Sequence, residues 1–289
     1  MKRSLAVALA LLGVSLIWAS NPQEKGEVRF EKNLTYAKAG GQDLQLDLAM
    51  PKEGKGPFPC VMCVHGGGWR AGKRQDLTKL TETLASKGFV AATVTYRLAP
   101  AHRFPAQIED CKAAVRWLRA NAGKYHINPA KVGAIGFSAG GHLVCLLGTA
   151  DKRANLEGDG GNLDQSSRVQ AVVSYFGRTD FTTKSWSAAA EKALLIPFLG
   201  GTFEERPETY KMASPITYVS KDDPPFLFFH GDQDKLVGVD QSQKLAKKLQ
   251  EAGVSARVVV VEGEGHGWGG EKLAQTLRQT VAFFQEKLK

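Results

Sequence analysis

One recurrence constrains this chain most: short, largely apolar runs alternate with longer amphipathic stretches. The runs are Cys60–Val64, Phe89–Thr95, Lys131–Phe137, Val169–Phe176, Pro225–Phe229 and Arg257–Val261. Cys60–Val64 contains no polar residue, as a strand buried on both faces requires. The stretches between them read as helices. Asp76 caps one that runs to about Lys87 and stops at Gly88. Pro105 opens one to about Ala122, with Ile108, Cys111, Val115, Trp117 and Leu118 turned inward. Gly140–Thr149, Val239–Ala252 and Lys272–Leu288 follow. Ahead of the series, Val28–Ala37 and Asp43–Met50 read as two strands joined across Gly40-Gly41. The second alternates Leu44, Leu46 and Leu48 against Gln45 and Asp47. Strands alternating with helices predict an α/β fold, a mostly parallel central sheet covered by helices on both faces.

Three segments fall outside the alternation. Pro51–Pro59 is a Pro/Gly/Lys loop, and Asp151–Arg168 is polar and Gly-rich. Arg178 to Tyr218 is a long insertion without strand character after the run Val169–Phe176. An insertion of this length in an α/β domain serves either as a lid or binding element, or as a solvent-facing excursion.

Residues 1–19 read as a signal peptide. Lys2 and Arg3 precede fifteen uncharged residues, Leu5 to Ala19, and Ser20, Asn21 and Pro22 break the run. Fifteen residues are short for a membrane span, which takes ~20, so an uncleaved anchor is the lesser alternative. Cleavage is expected to leave one α/β domain of residues 20–289, secreted or periplasmic, with no stable membrane insertion. At 43% hydrophobic and 23% charged, a disordered, collagen-like or coiled-coil chain is excluded. The net charge of +9 admits a nucleic-acid partner. However, two of those charges leave with the signal, and Lys244, Lys247, Lys248, Lys272, Lys287 and Lys289 lie on amphipathic helices as solvated faces. No nucleic-acid module accompanies them, so no nucleic-acid partner is expected. Four cysteines are too few for a disulfide scaffold. Cys60 and Cys63, three apart on a strand, point to opposite faces, which argues against a zinc or redox site. Whether Cys111 and Cys145 form a bridge is open at this level.

Three motifs follow one another in chain order. Gly136-Phe137-Ser138-Ala139-Gly140 lies between a strand and a helix, where a sharp turn excludes Cβ atoms and exposes the serine. His65-Gly66-Gly67-Gly68-Trp69 directly follows the strand Cys60–Val64. Its consecutive glycines let backbone N–H groups converge on one developing oxyanion. A phosphate-binding turn is the alternative, but neither the P-loop nor the Rossmann glycine pattern is present. The third motif is an acid and a base: His230-Gly231-Asp232-Gln233-Asp234 after one strand, and Gly265-His266-Gly267-Trp268 after the next. Ser138, the acid and His266 therefore all sit at carboxyl ends of strands, where α/β sheets bind ligands. A serine hydroxyl needs a general base, here His266, and the base needs a carboxylate to orient it. Both Asp234 and Asp232 are candidates for that carboxylate.

These residues carry a resemblance from about Val28 to the C-terminus, together with Tyr96-Arg97-Leu98, His142-Leu143 and Val237. The sequence resembles α/β-hydrolase esterases and lipases. Within that superfamily it is most similar to the secreted carboxylesterases that include acetyl-xylan and feruloyl esterases. It shares the triple-Gly loop with hormone-sensitive-lipase-like esterases, but has Phe137 where those usually carry Asp. Only Ser20–Glu27 precede the first strand, so a large N-terminal cap is not expected. The resemblance implies Ser138, Asp234 and His266 as the catalytic residues. It favours Asp234 over Asp232 and implies an oxyanion hole built from Gly67, Gly68 and Ala139.

Trp69, Trp186 and Trp268 are candidate walls of a substrate pocket, although tryptophans more often belong to the core. His65 braces the glycine loop, His142, one helical turn after Ser138, either supports the site from behind or is structural, His230 is a satisfied core histidine, and His102 and His126 lie on the surface. No cofactor is implied, and no histidine pair has metal-ligand spacing. The expected function is hydrolysis of short-chain acyl or aryl esters through an acyl-enzyme. The substrate is a small molecule or a polysaccharide ester, such as acetyl or feruloyl esters of plant polysaccharide. The alternatives are a secreted serine peptidase of prolyl-oligopeptidase type and a non-catalytic binding module on the same fold.

Overall fold

Eight strands form one sheet in the order β1-β2-β4-β3-β5-β6-β7-β8. The computed structural model describes residues 26–289, so the expected signal segment lies outside the described residues. The strands are β1 (Val28–Ala39), β2 (Gln42–Pro51), β3 (Phe58–Val64), β4 (Val90–Val94), β5 (Ile127–Phe137), β6 (Ala171–Tyr175), β7 (Phe226–Gly231) and β8 (Ala256–Val261). β1 pairs antiparallel with β2, and β2 with β4. From β4 to β8 every pairing is parallel. The helices are α1 (Thr78–Ala85), α2 (Ala106–Ala120), α3 (Ala139–Thr149), α4 (Ala188–Ala190), α5 (Ile196–Leu199), α6 (Pro207–Met212), α7 (Asp240–Glu251) and α8 (Gly270–Leu288).

The alternating side chains of β3 show why both faces are apolar. Cys60, Met62 and Val64 enter one core cluster, with Ile108 and Cys111 of α2 and Leu143 of α3. Val61 and Cys63 enter a second cluster, with Leu80 and Leu84 of α1 and Phe284 of α8. The two cysteines thus face opposite ways, as period-two geometry dictates. All four cysteines are free and buried, which settles the open pairing of Cys111 and Cys145: they are separate thiols. On β2, Leu44, Leu46 and Leu48 are buried. Asp47, on the other face, is also buried, where Arg74 Nε donates to it at 2.9 Å.

The segment 151–168 contains one short 3-10 turn, Lys152–Ala154. It is pinned to the domain by α2: Lys112 Nζ reaches Glu157 at 2.7 Å, and Arg116 Nε donates to Gly161 O at 2.9 Å. The insertion at 178–218 holds no strand. It is built from α4, a π-helical turn Glu191–Leu195, α5, α6 and a 3-10 turn Pro215–Tyr218.

One topological fact positions the site. From β3 the chain moves to β4 on one side, then returns to β5 on the other. The loops after β3 and β5 diverge there and border a crevice at the carboxyl edge of the sheet.

Candidate active site

At that crevice β5 turns into α3 through Ser138, whose φ of 54° and ψ of −117° are rare for any non-glycine residue. Neighbouring backbone enforces the turn. A Cβ at Gly140 would lie 2.1 Å from Val64 O, and one at Gly136 would lie 2.2 Å from Gly140 O. Only glycine fits at either place, and the strain at Ser138 costs on the order of 1–3 kcal/mol. Ser138 N donates to Tyr175 O at 2.9 Å, which ties the turn to β6.

The loops after β7 and β8 bring the acid and the base to this serine. His266 Nε2 stands 2.7 Å from Ser138 Oγ, and His266 Nδ1 stands 2.7 Å from Asp234 Oδ2. The carboxylate can only accept, so Nδ1 carries the proton and Nε2 is free to receive one from the serine. Asp234 is held in turn: its Oδ1 accepts from the backbone N–H groups of Leu236 and Val237, each at 2.9 Å. Burial alone would raise the Asp234 carboxyl. The contacts from His230 and His266 and the Val237 N–H outweigh burial and hold it far below the usual carboxylate range.

The competing carboxylate has a different task. Asp232 is exposed and accepts from Gly263 N at 2.7 Å, bracing the acid loop against the turn after β8. His230 is fully buried with both nitrogens engaged, Nδ1 with Ser242 Oγ at 2.7 Å and Nε2 with Val237 O at 2.8 Å.

The glycine loop lies directly on the nucleophile turn. A Cβ at Gly66 would come 2.9 Å from Phe137 O and 3.3 Å from Ser138 Cβ. Gly67, Gly68 and Trp69 run through φ values of 107°, 58° and 60°, and Gly67 O accepts from Arg70 N and Ala71 N. Ala139 is the first residue of α3, so its N–H belongs to the helix end that lacks intrahelical acceptors. His65 braces the loop as expected, stacked on Tyr96 with ring centroids 4.3 Å apart.

Two expectations need correction. Trp69 and Trp268 are not open pocket walls. Trp69 is 5% exposed and stacks on Phe198 at 4.2 Å. Trp268 is 6% exposed, and its indole N–H donates to Thr276 of α8. Each bulky ring gains more by burial in the adjoining core than at the solvent edge. His102 is half-buried, whereas His126 is exposed.

Three residues that sequence reasoning passed over belong to the site. Phe176, at the end of β6, packs on the His266 ring with centroids 4.8 Å apart. Leu194, in the π-helical turn, lies over the glycine loop, where a Cβ at Gly68 would come 2.8 Å from its Cδ2. Arg178 is 5% exposed, lies over the Trp186 and Phe181 rings and donates to Ser185 Oγ at 3.0 Å and Leu236 O at 3.4 Å. It thereby ties the insertion to the acid loop. The aromatic ending β6 was visible in the sequence, but nothing local marked Leu194 or Arg178.

The fold matches known proteins. A truncated form of carbohydrate esterase from gut microbiota superimposes with a TM-score of 0.80 at 32% identity, covering 93% of this chain and 99% of that one. An esterase from the Planctomycetes species Thermogutta terrifontis, with propionate bound, gives 0.75 at 26% identity over 91% of this chain and 94% of its own. The same esterase phosphoramylated by tabun gives 0.76 at 27% identity, covering 92% of this chain and 96% of that one. In sequence, Esterase LipC of Mycobacterium tuberculosis is 34% identical over 220 residues, 73% of this chain and 53% of that protein. The chain thus spans about half the length of the curated relatives it matches. The BD-FAE family matches residues 46–249, which takes in the glycine loop, the nucleophile turn and the acid loop. The chain has the α/β-hydrolase fold and belongs to the BD-FAE family.

Proposed function

We propose that this protein is a serine carboxylesterase that works through an acyl-enzyme on short-chain acyl or aryl esters, with acetyl or feruloyl esters of plant polysaccharide as the substrate class. The observation that carries this reading is the continuous line from Ser138 Oγ through His266 to Asp234, with both contacts at 2.7 Å. As Oγ bonds to the ester carbonyl carbon, its proton passes to His266 Nε2. Asp234 stabilises the imidazolium, and the N–H groups of Ala139, Gly67 and Gly68 receive the oxyanion. Collapse breaks the bond to the alcohol, and His266 returns the proton to the departing alkoxide. Water then repeats the sequence on the acyl-enzyme.

The relatives support an ester substrate, since their names are those of esterases. A small acyl group is supported by Leu194 lying over Gly68 and by the propionate held by the Thermogutta terrifontis esterase. The charged, then apolar, segment at residues 1–19 supports export. N-terminal sequencing of the periplasmic and secreted protein tests it, and a chain starting at Met1 refutes it.

Replacing Ser138 by Ala is expected to abolish p-nitrophenyl acetate hydrolysis without changing the melting temperature, because loss of the nucleophile typically costs ~10⁴-fold or more. Turnover above ~1% of wild type in that variant refutes the assignment. A rate panel over p-nitrophenyl acetate, butyrate and octanoate, methyl ferulate and acetylated xylan then tests the substrate class. Preference for octanoate refutes the short-chain reading.

A further inference from the structure

We propose that His142 is a positioning residue for ester hydrolysis, setting the oxyanion loop through a hydrogen bond to the Trp69 indole. This rests on the preceding reading, in which Ser138 is the nucleophile and Gly67 and Gly68 supply oxyanion donors.

His142 is fully buried, one turn beyond Ser138 on α3, and its backbone N–H donates to Ser138 O at 3.0 Å. The Trp69 indole N–H donates to its Nδ1 at 3.0 Å, and its Nε2 lies 2.7 Å from Ala213 O in the insertion. An indole nitrogen only donates and a carbonyl only accepts, so both contacts are satisfied in a single state of the ring: neutral, with the proton on Nε2. Burial, with the nearby Arg178 guanidinium, prevails over the Ala213 carbonyl and pushes the imidazole down to about 4, which keeps it neutral at neutral pH. One side chain thus links the nucleophile helix, the glycine loop and the insertion.

The loop needs such a tie. Trp69 has a φ of 60°, directly after Gly68 at 58°, and a bulky residue in the left-handed region persists only where its surroundings fix it. The direction in which the preceding N–H groups point depends on that conformation. The Trp69 ring stacks on Phe198, packs tilted against Phe181 and meets His142 through its edge and its N–H. Of these partners His142 is the one on the helix that carries Ser138. A histidine that merely filled space would affect stability and leave the chemical step alone.

Three variants test this on the full chain. Trp69→Phe keeps a ring against Phe198 and deletes the N–H. His142→Leu deletes both ring contacts. His142→Gln keeps one acceptor and one donor. We expect Trp69→Phe and His142→Leu each to lower kcat for p-nitrophenyl acetate by about 10- to 100-fold, with KM within about twofold. The double variant Trp69→Phe/His142→Leu is expected to be no slower than the slower single one, because both delete the same contact. His142→Gln is expected to recover kcat to within about threefold of wild type. If His142→Leu does not fold, Trp69→Phe decides alone. A folded Trp69→Phe with wild-type kcat, or with its loss confined to KM, overturns the proposal. Ser138→Ala separates the two readings. If it retains activity, the function assigned to the site fails. If it is inactive while Trp69→Phe turns over like wild type, only the role of His142 fails.

Discussion

The two loops that meet over Ser138 are held by different means. The nucleophile turn is fixed by backbone against backbone: Gly140 lies so close to Val64 O that a Cβ would approach to 2.1 Å. The glycine loop is mixed: Gly66 and Gly67 face backbone, where a Cβ would come 2.9 Å from Phe137 O and 2.2 Å from Ala71 O, but its far end is held by side chains from distant segments, Leu194 over Gly68, Phe198 against Trp69 and His142 on the Trp69 indole. Backbone walls cannot move aside, so the nucleophile turn tolerates no change. Side-chain walls can be exchanged, so Gly68 and Trp69 are the part of the site that substitution can tune. The insertion at 178–218 supplies two of those three walls, and Ala213 supports the third. It acts on the glycine loop through packing, without contributing a member of the Ser138–His266–Asp234 line.

The largest effect expected from breaking this contrast lies on the rigid side. Asp234→Asn removes the acceptor that fixes the His266 tautomer and is expected to lower kcat by about 10⁴-fold. Asp232→Asn, which touches only the turn at Gly263, is expected to stay within about threefold. Equal losses in the two variants would show that the wrong carboxylate had been assigned.

Next is Gly140→Ala, whose Cβ meets a carbonyl that has nowhere to go. A loss of about 3 kcal/mol or outright insolubility is expected in denaturant titration.

A comparable effect is expected from pH. His142 has a folded-state pKa near 4 against an ordinary 6.5. Above about pH 6.5 both folded and unfolded chains carry it neutral. As the pH falls from about 6.5 to about 4 the unfolded chain takes up a proton that the folded one refuses, so stability declines through that window and levels off below it, by about 3 kcal/mol in all. His142→Gln is expected to flatten that part of the melting-temperature profile, and an unchanged slope would place the titrating group elsewhere. Asp234 acts lower: its depressed carboxyl stabilises the fold above the ordinary carboxylate range and loses that contribution as the pH falls towards its folded value.

The smallest effect belongs to the adjustable side. Gly68→Ala places a Cβ at a φ of 58° and against Leu194. It is expected to cost about 1–2 kcal/mol, part of which Leu194→Ala restores by opening the space. No recovery in the double variant would mean that backbone strain, not Leu194, limits that position.

Much of this architecture was legible because local sterics leave a local record. The purely apolar run Cys60–Val64 is a strand with both faces in core, and its neighbours β4 to β8 recur at the expected places. Strand ends shifted by a few residues: Lys131–Phe137 is the end of the longer β5, Ile127–Phe137, since residues at a sheet margin pair without needing apolar character. The helix expected from Asp76 is a 3-10 turn, Arg74–Leu77, followed by α1. Ser138 and His266 were nameable because each follows a strand on a short loop, whereas Asp234 and Asp232 share one such loop and only the resemblance separated them. The tryptophans misled, because an indole beside a glycine loop looks the same in sequence whether it faces substrate or core.

By itself the sequence determined the alternation of strands and helices, the glycines that the sharp turn at Ser138 needs and the order in which serine, acid and base appear, because each is written in residues a few positions apart. The tertiary structure alone decided that Asp234 and not Asp232 meets His266, that the buried Asp47 pairs with Arg74, and that His142 joins the glycine loop to the insertion. Those contacts bridge partners between 27 and 73 positions apart along the chain. Their geometry exists only once packing has brought distant surfaces together, and no local pattern has to record it.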